Sequence, residues 1–176
     1  MTLGRPKLVP CTTTEGFGAD EVVRLVASLE TRSEHPIAEA IVEAAKHGGL
    51  ALADAEGFEA TPGFGVGAVV EGRRVEAGAD RFMAKLGYDT AMFAHEADRL
   101  GREGQSPLYA SADGRLAAII AGADSVRETN PEGIAALHAL GLKGTCITGG
   151  NRRTGEGNAR RTGDGGRVGH SAEGLL

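Results

Sequence analysis

The sequence predicts an α+β fold, an antiparallel β-sheet flanked by two helical pairs, followed by a partial α/β segment. Three observations predict it. Apolar residues recur at helical spacing twice before residue 50; β-branched runs separated by turn dipeptides take over from Phe58 to Gly78; helices followed by a hairpin then come a second time. Helix pair, hairpin, helix pair, hairpin is satisfied by helices packed on an antiparallel sheet.

The opening MTLGRPKLV reads as a short strand. Asp20 can cap a helix whose Val22, Val23, Leu25, Val26 and Leu29 recur at helical spacing, ending near Arg32. Ser33 can cap a second helix. Pro36 falls in its first turn, where a missing N–H is harmless, Ile37, Ile41 and Ala45 lie on one face, and Gly48 and Gly49 stop it. FEATPGFGVGAVVEGRRVEAG then carries a Pro-Gly turn at 62 and 63 and a hairpin signal at Glu71-Gly72, which makes an antiparallel meander. Helices are expected at about 79 to 86 and about 89 to 103, and PLYAS and RLAAIIAG form a strand pair about Asp113-Gly114.

Asn130-Pro131 opens a further helix with Ile134, Leu137 and Leu140 on one face, ended by Gly141. LKGTCITGG follows as a buried strand running into a glycine turn, the edge of a separate parallel domain. The stretch from Asn151 to Leu176 has glycines and polar residues where a helix needs apolar ones, and it is expected to be disordered.

Composition narrows the function. With 176 residues the chain can bury a real core, and with 4% aromatics and no tryptophan that core must be built from Val, Ile, Leu and Ala. A net charge of −5, with basic residues spread among acidic ones, argues against nucleic acid as the partner. Cys11 and Cys146 are far apart and lack a CxxC or nearby His, so neither zinc nor a disulfide framework is indicated and both are expected to be reduced. No stretch approaches the roughly 18 to 20 apolar residues of a membrane helix, and no signal-peptide pattern is seen, so the chain as given is expected to be soluble and, as an isolated domain, monomeric.

GFGVGA at 63 to 68 has the look of a dinucleotide fingerprint, but that fingerprint must open a helix, and GAVVEGRR continues as strand. No Gly-Lys-Ser/Thr follows any glycine cluster, so a P-loop fails as well. What survives is a Pro-Gly-x-Gly turn, whose glycines serve either turn chemistry or close approach of a ligand to the backbone. In SEHP, Ser33 is explained as a cap and Glu34 by the helix dipole. His35 gains little by packing beside Pro36; on the residues alone, a structural role and a ligand role both stay open.

Taken together, ETRSEHPIAEAI, TPGFGVGAVVEG and VEAGADRFM resemble the nucleotide-binding domain of heavy-metal-transporting P-type ATPases. That family carries a Ser-Glu-His-Pro motif, a Pro-Gly-x-Gly-Val turn and a Gly-Asn pair in this order. The flanks agree: MTLGRPKLV resembles the segment after the family's DKTGTLT motif, with Thr2 on its last threonine, and ADSVRETNPEGIAALHALGLKGTCITGGN resembles the return into the phosphorylation domain. The resemblance implies a linker strand at 1–9, an ATP-binding domain at 10–122 and part of a haloacid-dehalogenase-like phosphorylation domain at 123–150, with 151–176 as the tail.

Carried over by position, the resemblance implies nucleotide-binding roles for Glu30, His35, Gly63, Gly65, Val66 and Gly78, with Ser33, Glu34, Ala79 and Asp80 as further contacts. Glu30 can accept from the adenine 6-amino group, His35 can meet the ring, and the glycines leave room for ribose and phosphates beside backbone N–H groups. The expected ligands are ATP or ADP, with Mg²⁺ in the intact pump. The expected partners are the phosphorylation and actuator domains and membrane helices of a parent that moves a heavy metal, copper first, with this domain on the cytoplasmic side.

Departures from the family pattern are visible. Ala79 stands for the usual asparagine, Asn130 for a proline, and Gly150 for the aspartate of Thr-Gly-Asp-Asn, while Asp124 is a linker or phosphorylation-domain position to which no catalytic role is given. The phosphorylated aspartate is not in the chain, so the chain alone is expected to bind nucleotide without turning it over. The alternatives are a haloacid-dehalogenase-like phosphohydrolase fragment, which would need an Asp-x-Asp or Asp-x-Thr after an early strand, and a non-enzymatic metal-binding or interaction domain, against which the absent CxxC counts.

Overall fold

The computed structural model describes residues 10–103, 105–122, 139–140, 146–148 and 168–170. They fall into two units, Met1–Ala94 with Pro107–Ala123, and His95–Ser106 with Asp124–Leu176.

The first unit is built on a six-stranded sheet in the order β1-β6-β5-β4-β3-β2. Its strands are β1 (Cys11–Thr13), β2 (Ala55–Thr61), β3 (Gly65–Val70), β4 (Arg73–Gly78), β5 (Ser106–Ala112) and β6 (Arg115–Gly122). β2, β3 and β4 form the expected antiparallel meander, and β1 adds antiparallel to β6, Cys11 facing Ile120. At both expected hairpin turns the two central residues take left-handed backbone, Glu71 and Gly72 at φ 51° and 76° and Asp113 and Gly114 at 51° and 76°. That turn type matches the right-handed twist of the strands it joins.

Helices α1 (Ala19–Glu30) and α2 (Pro36–His47) cover one face of the sheet. The apolar cluster between them joins Leu25, Val26, Leu29 and Ile41 of the helices to Ala68, Val70, Val75 and Ala112 of the sheet. Alanines on the strands let the helix backbones approach closely, as an aromatic-poor composition requires. Ion pairs link the first half of α1 to the first hairpin, Arg24 to Glu71 at 2.7 Å and Glu21 to Arg73, and Arg73 pairs in turn with Asp113 of the second hairpin turn at 2.6 Å. Exposed pairs of this kind contribute at most about 1 kcal/mol each, so they orient α1 more than they stabilise it.

The other face carries a polar cluster. Glu76, only 8% exposed, accepts hydrogen bonds from the hydroxyls of Ser111 and Tyr88 and from Arg74 Nε at 3.3 Å. A buried carboxylate is tolerable here because donors satisfy it. Helix α3 (Asp80–Lys85) lies on this face, with Phe82 and Met83 buried, and the Phe93 and Tyr109 rings meet at 6.4 Å.

Several boundaries differ from the sequence reading. The cap of α1 is Gly18, in extended backbone with no side-chain bond, and Asp20 sits inside the first turn, where its charge favours the dipole. The cap of α2 is His35, not Ser33, because the chain needs both residues to leave α1 before Pro36 can start a new helix. The helix expected at 89 to 103 is a 3-10 turn at Ala91–Phe93 followed by α4 (Ala94–Arg102). The opening strand and most of the helix after Asn130 lie outside the described residues.

In the second unit, β7 (Cys146–Thr148) is the strand expected in LKGTCITGG. It pairs in parallel with β8 (Val168–His170). Those three residues are a strand inside the stretch expected to be disordered, whose other residues lie outside the described ones; a strand whose partner is distant in the sequence leaves no mark in a local window.

Candidate functional site

The residues assigned from sequence form two groups. The first lies in the connection between α1 and α2. Glu30 ends α1 and is 6% exposed; its carbonyl accepts from Ser33 N at 3.0 Å, and Ser33 Oγ accepts from His35 N at 3.4 Å. Burial pushes the Glu30 carboxyl above its ordinary range, and a hydrogen bond with the Ser33 side chain partly opposes this. Among the described residues no cation pairs with it. Glu34 is exposed.

His35 is also exposed, and it has a structural job that the sequence did not reveal: its Nδ1 accepts from Ile37 N–H at 3.2 Å, capping α2. An Nδ1 that accepts carries no proton, so the neutral ring bears its hydrogen on Nε2. The capping ring therefore presents a donor to whatever approaches its far side. Structural and ligand readings of His35 are compatible, because they use different nitrogens.

The second group lies where β3 begins and β4 ends. Gly65 and Gly78 are direct cross-strand partners, and Val66 faces Ala77 beside them. A Cβ on Gly65 would sit 2.4 Å from Ala77 O and 2.4 Å from Phe82 Cδ1, and one on Gly78 2.5 Å from Phe64 O and 2.6 Å from Phe82 Cδ1. The space these glycines leave on the α3 face is filled by the Phe82 ring. Gly63, at φ 72°, is exposed on the turn, Ala79 N–H donates to Phe64 O at 3.1 Å, and the Asp80 carboxylate folds back to accept from Arg81 N at 2.7 Å. Asp80 is the first residue of α3, and the cap position before it, Ala79, has no side-chain cap bond.

Val66 points to the opposite face from Phe82. There it packs on the same apolar cluster as Ile37 in the first turn of α2, so both groups border one core. Among the described residues no hydrogen bond or ion pair joins the groups directly. A cavity of about 300 Å³ lies at the other end of the helix pair, where Asp20 and Val23 of α1 meet Ala44 and Gly48, and it contains none of the assigned residues.

Sequence reasoning missed Phe64, Arg81 and Phe82. Phe82 could have been found as the fourth residue after Gly78 in an amphipathic GADRFM, opposite a strand starting with glycine. Phe64 and Arg81 carry no local signal, since their pairing spans the hairpin. Among the described residues no group of three His, Cys, Asp or Glu could hold a metal ion, and no helix is long and apolar enough to cross a membrane.

A family model for haloacid dehalogenase-like hydrolases matches residues 11–174. Copper-transporting ATPase 2 of Rhizobium meliloti (strain 1021) is 60% identical over 163 residues, which is 93% of this chain and 20% of that protein. A zinc-transporting PIB-type ATPase in its E2.Pi state superposes with a TM-score of 0.66 and 30% identity over 92% of this chain and 26% of its own. The N-domain of a copper-transporting P-type ATPase matches with a TM-score of 0.51 and 29% identity, over 62% of this chain and 96% of that one. The chain spans about 20% of the length of the curated copper-transporting relatives it matches in Rhizobium meliloti.

Proposed function

The chain belongs to the haloacid dehalogenase-like hydrolase family, as the nucleotide-binding domain and part of the phosphorylation domain of a P-type ATPase, and from that premise we propose that it binds ATP for a heavy-metal pump, copper being the cargo. The adenine lies against Glu30 and His35, and the ribose and phosphates run past the turn at Gly63, Gly65 and Val66 and the strand end at Gly78, with Ser33, Glu34, Ala79 and Asp80 on the rim. In the intact pump this domain carries the γ-phosphate to an aspartate of the phosphorylation domain, and the aspartyl-phosphate drives metal across the membrane.

The observation that carries the reading is Glu30, an acidic residue only 6% exposed and, among the described residues, without a cation beside its carboxylate. A fold does not retain such a group for stability, since a buried charge without a counter-charge is costly. An adenine amino group adds a donor beside that of Ser33, and the Nε2–H of His35 supplies a donor to a ring nitrogen. Gly65 and Gly78 contribute backbone rather than empty space, because Phe82 already fills their side-chain positions.

Titration of the 176-residue chain with ATP without Mg²⁺ tests this. Amide shifts should cluster at residues 30–36, 63–67 and 77–80, and copper added in place of ATP should leave them unmoved. Resonances there that ignore ATP would sink the reading, and a response to copper alone would favour a metal-binding domain.

A further inference from the structure

The cluster that no sequence motif marked surrounds the glycine turn. Phe64 is 37% exposed, an unusual position for a phenyl ring, and two cations on α3 lie over it, Arg81 Cζ and Lys85 Nζ each 5.2 Å from its centre. Arg81 does a second thing: its Nη2 donates to the carbonyl of Gly63, across the turn from its own helix. Among the described residues neither Arg81 nor Lys85 makes a salt bridge, whereas Arg24, Arg73, Arg74 and Arg99 all do. A guanidinium that stacks on an aromatic ring and donates to a backbone oxygen fixes both in one geometry, because its planar fork loses little freedom in doing so.

We propose that Arg81 is a positioning residue for the nucleotide, a latch that holds the Pro62–Gly65 turn in the shape that meets the ligand; this rests on the nucleotide-binding reading above. Three ties converge on the turn. Phe64 N–H donates to Thr61 O at 2.9 Å, Ala79 N–H donates to Phe64 O at 3.1 Å, and Arg81 closes the last side at Gly63. The first two are backbone bonds that any sequence could make. The third depends on a side chain, and it restrains the one residue of the turn that is a glycine at positive φ, with no side chain of its own to restrict it. Ala79, which cannot offer the hydrogen bonds of an asparagine side chain, leaves Arg81 as the side chain by which the start of α3 holds the turn.

The test uses the full chain with AMP, ADP and ATP in turn, without Mg²⁺, for the wild type, Arg81→Ala and Arg81→Lys. Arg81→Ala should move the amides of Gly63 to Gly65 in the free protein and leave amides away from the turn and α3 unmoved. It should weaken all three nucleotides by a common factor of roughly three to ten, the scale of one lost hydrogen bond to a charged donor at a partly exposed site. Arg81→Lys should recover part of the loss, and Phe64→Leu, which removes the stacked ring, should give a smaller uniform loss. A factor that climbs from AMP to ATP would make Arg81 a phosphate ligand and overturn the latch. Unchanged affinities beside a wild type that binds would also overturn it while leaving the nucleotide reading intact. A wild type that binds none of the three would remove that reading, and the latch with it.

Discussion

Substituting Gly65 with alanine asks whether the glycine turn is shaped by its ligand or by its own core. The added methyl would stand 2.4 Å from Ala77 O, 2.4 Å from Phe82 Cδ1 and 2.8 Å from Gly78 Cα. Carbon atoms are comfortable at about 3.5 to 4 Å, so each neighbour must retreat by about 1 Å. Two of the three are backbone atoms of β4, fixed on one side by β3 and on the other by β5. Overpacking that side chains can absorb costs about 1 to 3 kcal/mol, and a clash with a sheet ladder belongs at or above the top of that range.

We therefore expect Gly65→Ala to destabilise the chain by about 3 kcal/mol or more, and Gly78→Ala by a similar amount. For a urea slope of about 2 kcal/mol per molar, that lowers the unfolding midpoint by roughly 1.5 M. Gly63→Ala is the control: nothing but Arg81 Nη2, at 3.9 Å, lies near its Cβ position, so only its positive φ is penalised, by about 1 to 2 kcal/mol. Combining Gly65→Ala with Phe82→Ala should be less harmful than the sum of the two, since the ring is one of the obstacles, but rescue stays partial because Ala77 O remains. A Gly65→Ala chain with an unchanged midpoint that no longer binds ATP would refute the reasoning, and would mean that the space beside Gly65 is kept for the ligand.

Glu30→Gln should strengthen the fold at neutral pH by about 1 kcal/mol while weakening ATP by roughly tenfold or more, measured by urea melts and nucleotide titration; weaker folding with unchanged binding would make Glu30 structural. The pH dependence has opposite signs for the two properties. A carboxyl raised by burial costs stability when ionised, so the wild-type penalty fades as pH falls through its raised folded value, and ATP affinity fades over the same window. His35→Gln should lose the Nδ1 cap and about 1 kcal/mol of stability while keeping the fold and losing ATP affinity; retained affinity in a thermal-shift and titration pair would reject the ligand role. The Cys11 thiol, pushed up to about 11 by burial and then by Asp20, should alkylate much more slowly than a free cysteine at pH 7.5 when assayed in a Cys146→Ser background.

What the sequence made readable was whatever is encoded locally. The turn dipeptides Glu71-Gly72 and Asp113-Gly114 specify their hairpins through two consecutive residues, and the apolar stripes of α1 and α2 repeat within one helix. What it hid was set by partners distant in the chain. The three residues of β8 pair with β7, and Arg81 finds Gly63 only because β3 and β4 bring the two ends together. The helix caps failed for a related reason: Ser33 and His35 are both able to cap, and the choice follows from how the chain leaves α1, which propensity does not describe.

The same distinction changes what the Ser-Glu-His-Pro stretch means. Read as sequence, Ser33 was the cap and His35 the residue in search of a reason, which made a ligand the natural explanation for it. In the folded chain His35 holds the first turn of α2 and Ser33 holds His35, and Ser33 also opposes, by its hydrogen bond, the raised pKa of Glu30. The structural role does not compete with the functional one, because capping through Nδ1 dictates which nitrogen carries the proton on the other side of the ring. Glu30 then offers an acceptor and His35 a donor within one short connection, the pair that an adenine edge with an amino group beside a ring nitrogen requires. A fold that needed only a cap would be served by serine, threonine or aspartate; a ring whose cap bond fixes its outward donor is what the proposed adenine contact would use.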